Sequence, residues 1–229
     1  MGYPSFTFKG IKSTDMGVYI HAMPTDDYPA DYGDFIQIPG RDGYLYIDKE
    51  YRLPITKQLT AVIMPDMTQS GLIQIQRWLT GAGELSFSNE PDIFYQARIR
   101  DNVNISTPKG LQAEKYVSLN FMCQPHKYLT SGKSKITLLG SATLINPGSD
   151  SKPLITINGS GAVSLSIGSQ LIQATITDTL SIDSELMECY KGATLQTFTG
   201  PFPVLLSGSN AISWTGTVTS IEVIPRWRL

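Results

Sequence analysis

Cysteine and histidine are scarce in this 229-residue sequence, with two of each. Cys123 and Cys189 lie far apart, in stretches that alternate like strands, and read as buried reduced thiols, not a disulfide. His21 and His126 sit at ligand spacing from neither a cysteine, an acid nor each other. That leaves no zinc pattern and restricts acid–base catalysis at neutral pH to uncommon designs. The G-x-S-x-G elbow of serine hydrolases, the G-x-x-x-x-G-K-[ST] phosphate loop and the dinucleotide glycine pattern are all missing. Apolar runs stop short of the roughly 18 to 20 residues needed to cross a bilayer. Met1-Gly2-Tyr3-Pro4-Ser5 has no basic start followed by an apolar stretch, so no secretory signal is read there. The expectation is a chain synthesised in a cytoplasm, not an enzyme, with no catalytic residues, cofactor or metal and no membrane contact.

Charge is also modest. A net charge of −2 gives no general electrostatic pull towards nucleic acid or an anionic membrane. The apolar fraction of 41% and charged fraction of 17% fall in the globular range. Twenty glycines and 14 prolines, spread along the chain, suggest many turns and few long helices.

Period-two patterns dominate what is there. Phe6 and Phe8 alternate with polar neighbours, Val18 to Ile20 follows, and Ile55 to Met64 places Leu59, Ala61 and Ile63 on one face. Ile93 to Ile105 and Val117 to Met122 read as strands too. One stretch has helical spacing. From Met67 to Leu79, the residues Leu72, Ile75, Trp78 and Leu79 form a single apolar stripe. Asp66 is the expected N-cap, with Gln69 as its capping-box partner, and Gly81 and Gly83 supply the stop.

Composition changes near residue 130. Residues 1–130 hold 12 Lys/Arg and 14 Asp/Glu, whereas residues 131–229 hold six of each and are rich in Ser, Thr and Gly. The boundary is placed in Thr130-Ser131-Gly132-Lys133, giving domains 1–130 (with its helix near 67–80) and 131–229. In the second, Leu154 to Ile157, Val163 to Ile167 and Ile172 to Ile176 read as strands. Asn158-Gly159-Ser160-Gly161 looks like a hairpin turn between the first two. Turns at about ten-residue spacing suit a β-sandwich.

Candidate chemistry is thin. Asp26, Asp27, Asp31 and Asp34 crowd one loop, where a solvated acidic loop or one facing a basic partner is favoured over a calcium site. Asp183 and Glu185 would share a strand face, as catalytic acid pairs can, but such pairs are common on exposed strands. Trp214, Phe198 and Phe202 could form an aromatic shelf for sugar or protein, with core packing the plainer reading. Arg226, Trp227 and Arg228 near the C-terminus look built to dock, on the first domain or elsewhere, since Arg and Trp are favoured anchors.

The stretch Phe35-Ile36-Gln37-Ile38-Pro39-Gly40-Arg41-Asp42-Gly43-Tyr44-Leu45 reads as strand, Pro-Gly turn and strand with Arg41 and Asp42 at the tip. Here, and in its start with Phe6, Phe8, Gly10, Ser13, Asp15 and Gly17, the sequence resembles the distal tail proteins of bacteriophages with long non-contractile tails. The likeness continues through Trp78-Leu79-x-Gly81-x-Gly83, Asp92-x-Phe94-Tyr95-x-Ala97-x-Ile99, Phe121-x-Cys123-x-Pro125, Asn146-Pro147-Gly148, Ile182-Asp183-Ser184-Glu185 and Pro225-Arg226-Trp227.

The resemblance implies a mainly β protein. Its first domain would be a ring-forming β-sandwich with one helix, its second a galectin-like β-sandwich. Six copies would form a ring at the virion tail tip, joining the tail tube to tail-associated, fibre or receptor-binding baseplate proteins, with the genome passing through the lumen without specific binding. Arg41 and Asp42 are the candidate subunit-interface residues, because Arg makes bidentate bonds to carboxylates and adjacent opposite charges can reach both neighbours. The plainer alternative is that they stabilise their own turn. A galectin's sugar chemistry is not carried over. Asn146-Pro147 is followed by Gly148, no histidine lies beyond His126, and Trp214 precedes Thr215. A wall-saccharide-binding module and a tail-tube subunit are the alternative readings.

Overall fold

The computed structural model describes residues 3–101, 103–106 and 115–229, and the chain divides into two compact units, Met1–Lys127 and Tyr128–Leu229. The first contains strands β1 (Phe6–Phe8), β2 (Ile11–Lys12), β3 (Val18–Ile20), β4 (Asp31–Gln37), β5 (Tyr44–Arg52) and β6 (Ile55–Ile63). Helix α1 (Gln69–Trp78) follows, then β7 (Ala82–Phe87), β8 (Glu90–Ile99), β9 (Ile105–Ser106) and β10 (Lys115–Leu129), which runs on into the second unit. The period-two reading of Ile93 to Ile105 holds for the β8 and β9 parts, while residue 102 lies outside the described residues.

Eight of these strands form one sheet in the order β2-β1-β7-β8-β10-β6-β3, with β9 also on β10. In a flat sheet β1 and β10 would stand about 14 Å apart, three strand spacings. Yet Phe121 of β10 lies 5.7 Å from Phe6 and 5.1 Å from Phe8, ring to ring. The sheet therefore bends around its own core. Helix α1 packs on that core: Ile75 and Trp78 are buried, the Trp78 ring stacks on Phe6 at 5.6 Å, and its Nε1 donates to Phe8 O at 2.9 Å. Burying an aromatic of this size with its N–H satisfied is among the larger single contributions a side chain makes.

The apolar stripe of α1 is as the spacing predicts, but its cap is not. Thr68, not Asp66, is the N-cap, its hydroxyl accepting from Gly71 N at 3.2 Å. The reason is local: Met67 N bonds back to Met64 O, so Asp66 is held inside a preceding turn and the first free helical N–H groups open onto Thr68. The helix is closed by Leu79, whose N–H donates to Ile75 O at 2.9 Å; Gly81, at φ +72°, turns the chain two residues further on, and Gly83 lies within β7.

The second unit contains β11 (Ile136–Leu138), β12 (Ala142–Asn146), β13 (Leu154–Ile167), β14 (Gln170–Ile176), β15 (Thr179–Asp183), β16 (Glu188–Lys191), β17 (Thr194–Leu195) and β18 (Gly208–Ile224). Its sheet has the order β11-β18-β13-β15-β16-β17, with β12 on β18 and β14 on β13. The long central strands β13 and β18 change outer neighbours midway, where their register slips at Asn158/Gly159 and again between Ser160 and Ser164. Asn158 to Gly161 is thus not a hairpin turn but a bulged stretch inside one strand. Gly159 is required there, since a Cβ would come within 2.3 Å of Thr217 O.

The unit division falls at Lys127/Tyr128, and residues 130–133 form a 3-10 turn, with Gly132 buried against the backbone of Trp227 and accepting from Arg226 N at 2.8 Å. The small, flexible residues that look like a linker in the sequence are thus a tight packing contact of the second unit. The chain is mainly β, as its alternating pattern predicts.

Candidate assembly site

Among the described residues, strands β4 and β5 pair only with each other, as a two-stranded arm outside both large sheets. Its tip follows from the sequence. Pro39 fixes one turn dihedral and Gly40 takes φ +82°, so Arg41 N closes onto Ile38 O at 3.1 Å in the manner of a type II turn. Arg41 and Asp42 sit on that tip, exposed.

Both faces of the arm carry apolar side chains that are exposed among the described residues. Register pairs Phe35 with Tyr46 and Gln37 with Tyr44 on one face, and Ile36 with Leu45 and Asp34 with Ile47 on the other. Phe35 is 72% exposed and Tyr44 67% exposed. Rings pack along the arm, Phe35 on Tyr46 at 4.9 Å and Tyr32 on Tyr51 at 4.8 Å. Gly33 leaves room for Tyr46, whose ring would lie 2.5 Å from a Cβ there. The ion pairs Asp34–Lys49 (2.7 Å) and Asp31–Arg52 (3.3 Å) are exposed and contribute little each. An isolated two-stranded ribbon is marginal in water.

The arm's root is held differently. Lys57 occupies an inward position of β6 and is 1% exposed. Its ammonium donates to Thr25 O, lies 3.6 Å from Asp27 Oδ2 and 3.9 Å from Asp26 Oδ1, and sits 5.6 Å from the centre of the Tyr95 ring. Lys127 pairs with the same Asp26. Burial pushes the Tyr95 phenol up to about 12, the nearby Lys127 opposing, so a neutral ring faces the Lys57 cation. The four early aspartates thus do not form one cluster: Asp26 and Asp27 anchor the loop before β4, while Asp31 and Asp34 pair along the arm. Among the described residues no group of three or more His, Cys, Asp or Glu is arranged to hold a metal ion.

The other candidates lie in the second unit. Arg226 clamps Asp183, Nη1 to Oδ1 at 2.6 Å and Nη2 to Oδ2 at 2.8 Å, and its Nη1 also lies 3.3 Å from Glu185 Oε2. Asp183 and Glu185 do not share a strand face, because β15 ends at Asp183 and Glu185 N turns back to its Oδ1 at 3.0 Å. Burial would raise the Asp183 carboxyl, but Arg226 and the N–H groups of Leu186 and Glu185 hold it below the ordinary range. This is an ion pair closed on itself.

Trp227 is 6% exposed within the second core, Leu129 N donates to Trp227 O at 2.9 Å, and Arg228 O accepts from Ser149 N at 2.7 Å. The Arg226-Trp227-Arg228 tail is docked, then, on its own unit. Trp214, Phe198 and Phe202 pack against the same core, and the last two meet edge to face at 5.0 Å. The arm's uncovered faces and the buried Lys57 are what the sequence reading missed. The strand, turn and strand were visible, but not that the apolar side chains of both strands would lie exposed among the described residues.

Residues 1–124 match the family described as "Phage tail protein N-terminal domain". Among solved structures, SPP1 Dit (gp 19.1), described as a paradigm of the hub adsorption apparatus in phages infecting Gram-positive hosts, superposes with a TM-score of 0.72. It is 16% identical, over 97% of this chain and 98% of that one, and shows that the two share a fold. No curated protein matches the sequence.

Proposed function

The chain belongs to the phage tail protein N-terminal domain family, a structural and not an enzymatic one, and from that premise we propose that it is the hub subunit of a tail tip. Six copies close into a ring through the β4–β5 arm, each arm laying its apolar faces on the neighbouring copy. Arg41 and Asp42 then meet charges of that neighbour at the end of the reach. One face of the ring takes the tail tube and the other the tail-associated, fibre or receptor-binding baseplate proteins. The genome passes through the lumen, where a net charge of −2 offers it no general grip. The second unit, expected to be galectin-like, serves as an outward platform.

The observation that supports this most is the arm itself. A ribbon with Phe35, Tyr44 and Tyr46 on one face and Ile36, Leu45 and Ile47 on the other is exposed on both faces among the described residues. Similarity in fold to a protein described as a hub points the same way.

The test is the molar mass of the purified chain by light scattering across a concentration series, with negative-stain images of the same sample. Closed rings near six times 25.2 kDa, lost in an Arg41→Ala/Asp42→Ala variant, support the reading. Open tubes of indefinite length point to a tail-tube subunit, and a strict monomer at every concentration sinks self-assembly.

A further inference from the structure

Two dipeptides in the chain, Asp42-Gly43 and Asn158-Gly159, have the composition from which a succinimide forms most readily. With glycine second, the backbone nitrogen can reach the preceding side-chain carbonyl without a Cβ in the way. The structure places the two in opposite settings.

Asn158-Gly159 is locked. Asn158 is half-buried in the middle of β13, paired with Thr179 of β15 and Ser220 of β18. Its Nδ2 donates to Ser220 Oγ at 3.0 Å, and Gly159 N donates to Asp178 O at 2.9 Å. The nitrogen that would have to attack is already engaged, and the strand would have to open first.

Asp42-Gly43 is free. Both residues are exposed at the tip of the arm, between the Pro39-Gly40 turn and the start of β5 at Tyr44. Among the described residues the Asp42 carboxylate has no hydrogen bond or ion pair, and Gly43 N has no acceptor. Gly43 takes φ +83°, and no heavy atom beyond its chain neighbours lies within 4 Å of a Cβ position there, so the peptide has room to rotate.

We propose that Asp42-Gly43 is a site of spontaneous isoaspartate formation in the unassembled subunit. Gly43 N bonds to Asp42 Cγ and loses its proton. One carboxyl oxygen departs as water, with that proton and one taken up by the carboxyl group, and leaves a neutral succinimide. Water then adds at the former peptide carbonyl of Asp42, and the bond from that carbon to nitrogen breaks. The main chain now runs through Cβ and Cγ, and the α-carboxylate is the free acid. Water is the only co-reactant. The product lengthens the backbone by one carbon beside the first ladder pair of the arm, Gln37 with Tyr44. Where the tip bears on a neighbouring copy, the altered tip no longer fits, so the reaction limits how long a free subunit stays competent. That consequence rests on the ring reading; the chemistry at the tip does not.

The test keeps the purified full chain at neutral pH for several weeks, folded or in guanidinium, and maps chymotryptic peptides by electron-transfer fragmentation. In the folded chain, residue 42 should gain isoaspartate about tenfold or more faster than residue 158, because Asn158 waits on opening of the β13–β18 ladder. In guanidinium the order should reverse, since an Asn side chain loses ammonia more readily than an Asp loses water. No isoaspartate at residue 42 in the folded chain, or residue 158 leading there, overturns the proposal. The consequence is read on the same aged sample, separated by size into rings and unassembled chain. Isoaspartate at residue 42 should concentrate in the unassembled fraction, and an equal share in both overturns that consequence. A chain that never forms rings sinks the ring reading and leaves the isoaspartate result standing.

Discussion

Arg226 and Asp183 meet in a two-pronged ion pair of 2.6 and 2.8 Å that fixes the C-terminal tail to the end of β15. Asp183 is almost wholly buried and Arg226 about a quarter exposed. Arg226 adopts φ +52°, a left-handed conformation costly for a residue with a Cβ, so the pair and the buried Trp227 hold it there together. Removing one partner leaves the other charge unmatched. Asp183→Ala should destabilise the second unit by about 2–3 kcal/mol, a value reduced from the fully buried case because the guanidinium keeps some solvent. Urea unfolding followed by tryptophan fluorescence checks it.

The same pair sets an acid limit. The Asp183 carboxyl is held below its ordinary value, so its contribution is complete above the unfolded carboxylate pKa of about 3.9 and disappears as pH falls through the lower folded value. Unfolding midpoints of wild type should therefore drop below about pH 4. Asp183→Asn should lie lower at neutral pH and show a shallower fall in acid. Equal slopes for the two would refute this assignment.

Lys57 should respond asymmetrically. Lys57→Met replaces a buried cation with an apolar chain of similar length, and stability should change by less than about 1.5 kcal/mol. Asp26→Ala/Asp27→Ala leaves the ammonium buried with only Thr25 O and the Tyr95 face, and should cost more. Both changes loosen the loop before β4, so limited proteolysis should cut faster between residues 23 and 30 in each.

The arm's apolar faces can be tested separately from its tip. Ile36→Thr/Ile47→Thr alters exposed positions in a β-compatible way, so thermal stability of the monomer should shift by no more than about 0.5 kcal/mol. Assembly, measured by light scattering, should weaken at least tenfold if these faces are covered in the ring. Unchanged assembly would leave the tip charges as the sole contact to pursue.

Two glycines make a matched pair in the second unit. Gly159→Ala places a methyl group within 2.3 Å of Thr217 O, backbone that cannot swing aside, and should cost about 2 kcal/mol or more. Gly140 has open space around it and no left-handed φ, so Gly140→Ala should be neutral or stabilising by about 0.4–1 kcal/mol. Calorimetry on the two variants side by side measures the difference.

Particular residues show where the sequence was legible. Phe6, Phe8, Leu59, Ala61, Ile63, Ile75, Trp78 and Leu79 are buried as their spacing predicts, and Leu72 partly so, because period two and period 3.6 decide which side chains share a face. Asp66 was the expected cap, and the turn closed by Met67 N on Met64 O moved that role to Thr68. Asn158-Gly159-Ser160-Gly161 has the composition of a hairpin, yet it is a bulge, because β18 is long enough to pair along both halves of β13. Arg41 and Asp42 were recognisable as a turn tip, but not that the strands behind them stand free.

Alone, the sequence determined the strand-rich character, helix α1, the Pro-Gly turn of the arm and the scarcity of residues suited to catalysis. These follow from local steric preferences and from side-chain chemistry that does not depend on distant neighbours. Tertiary structure decided which charges are buried, which glycines are crowded and which apolar faces go uncovered. Lys57 meets Asp26 and Asp27 across about 30 positions, and Arg226 meets Asp183 across 43. Such pairings depend on how the sheets bend and where long strands change partners, and no local pattern encodes that.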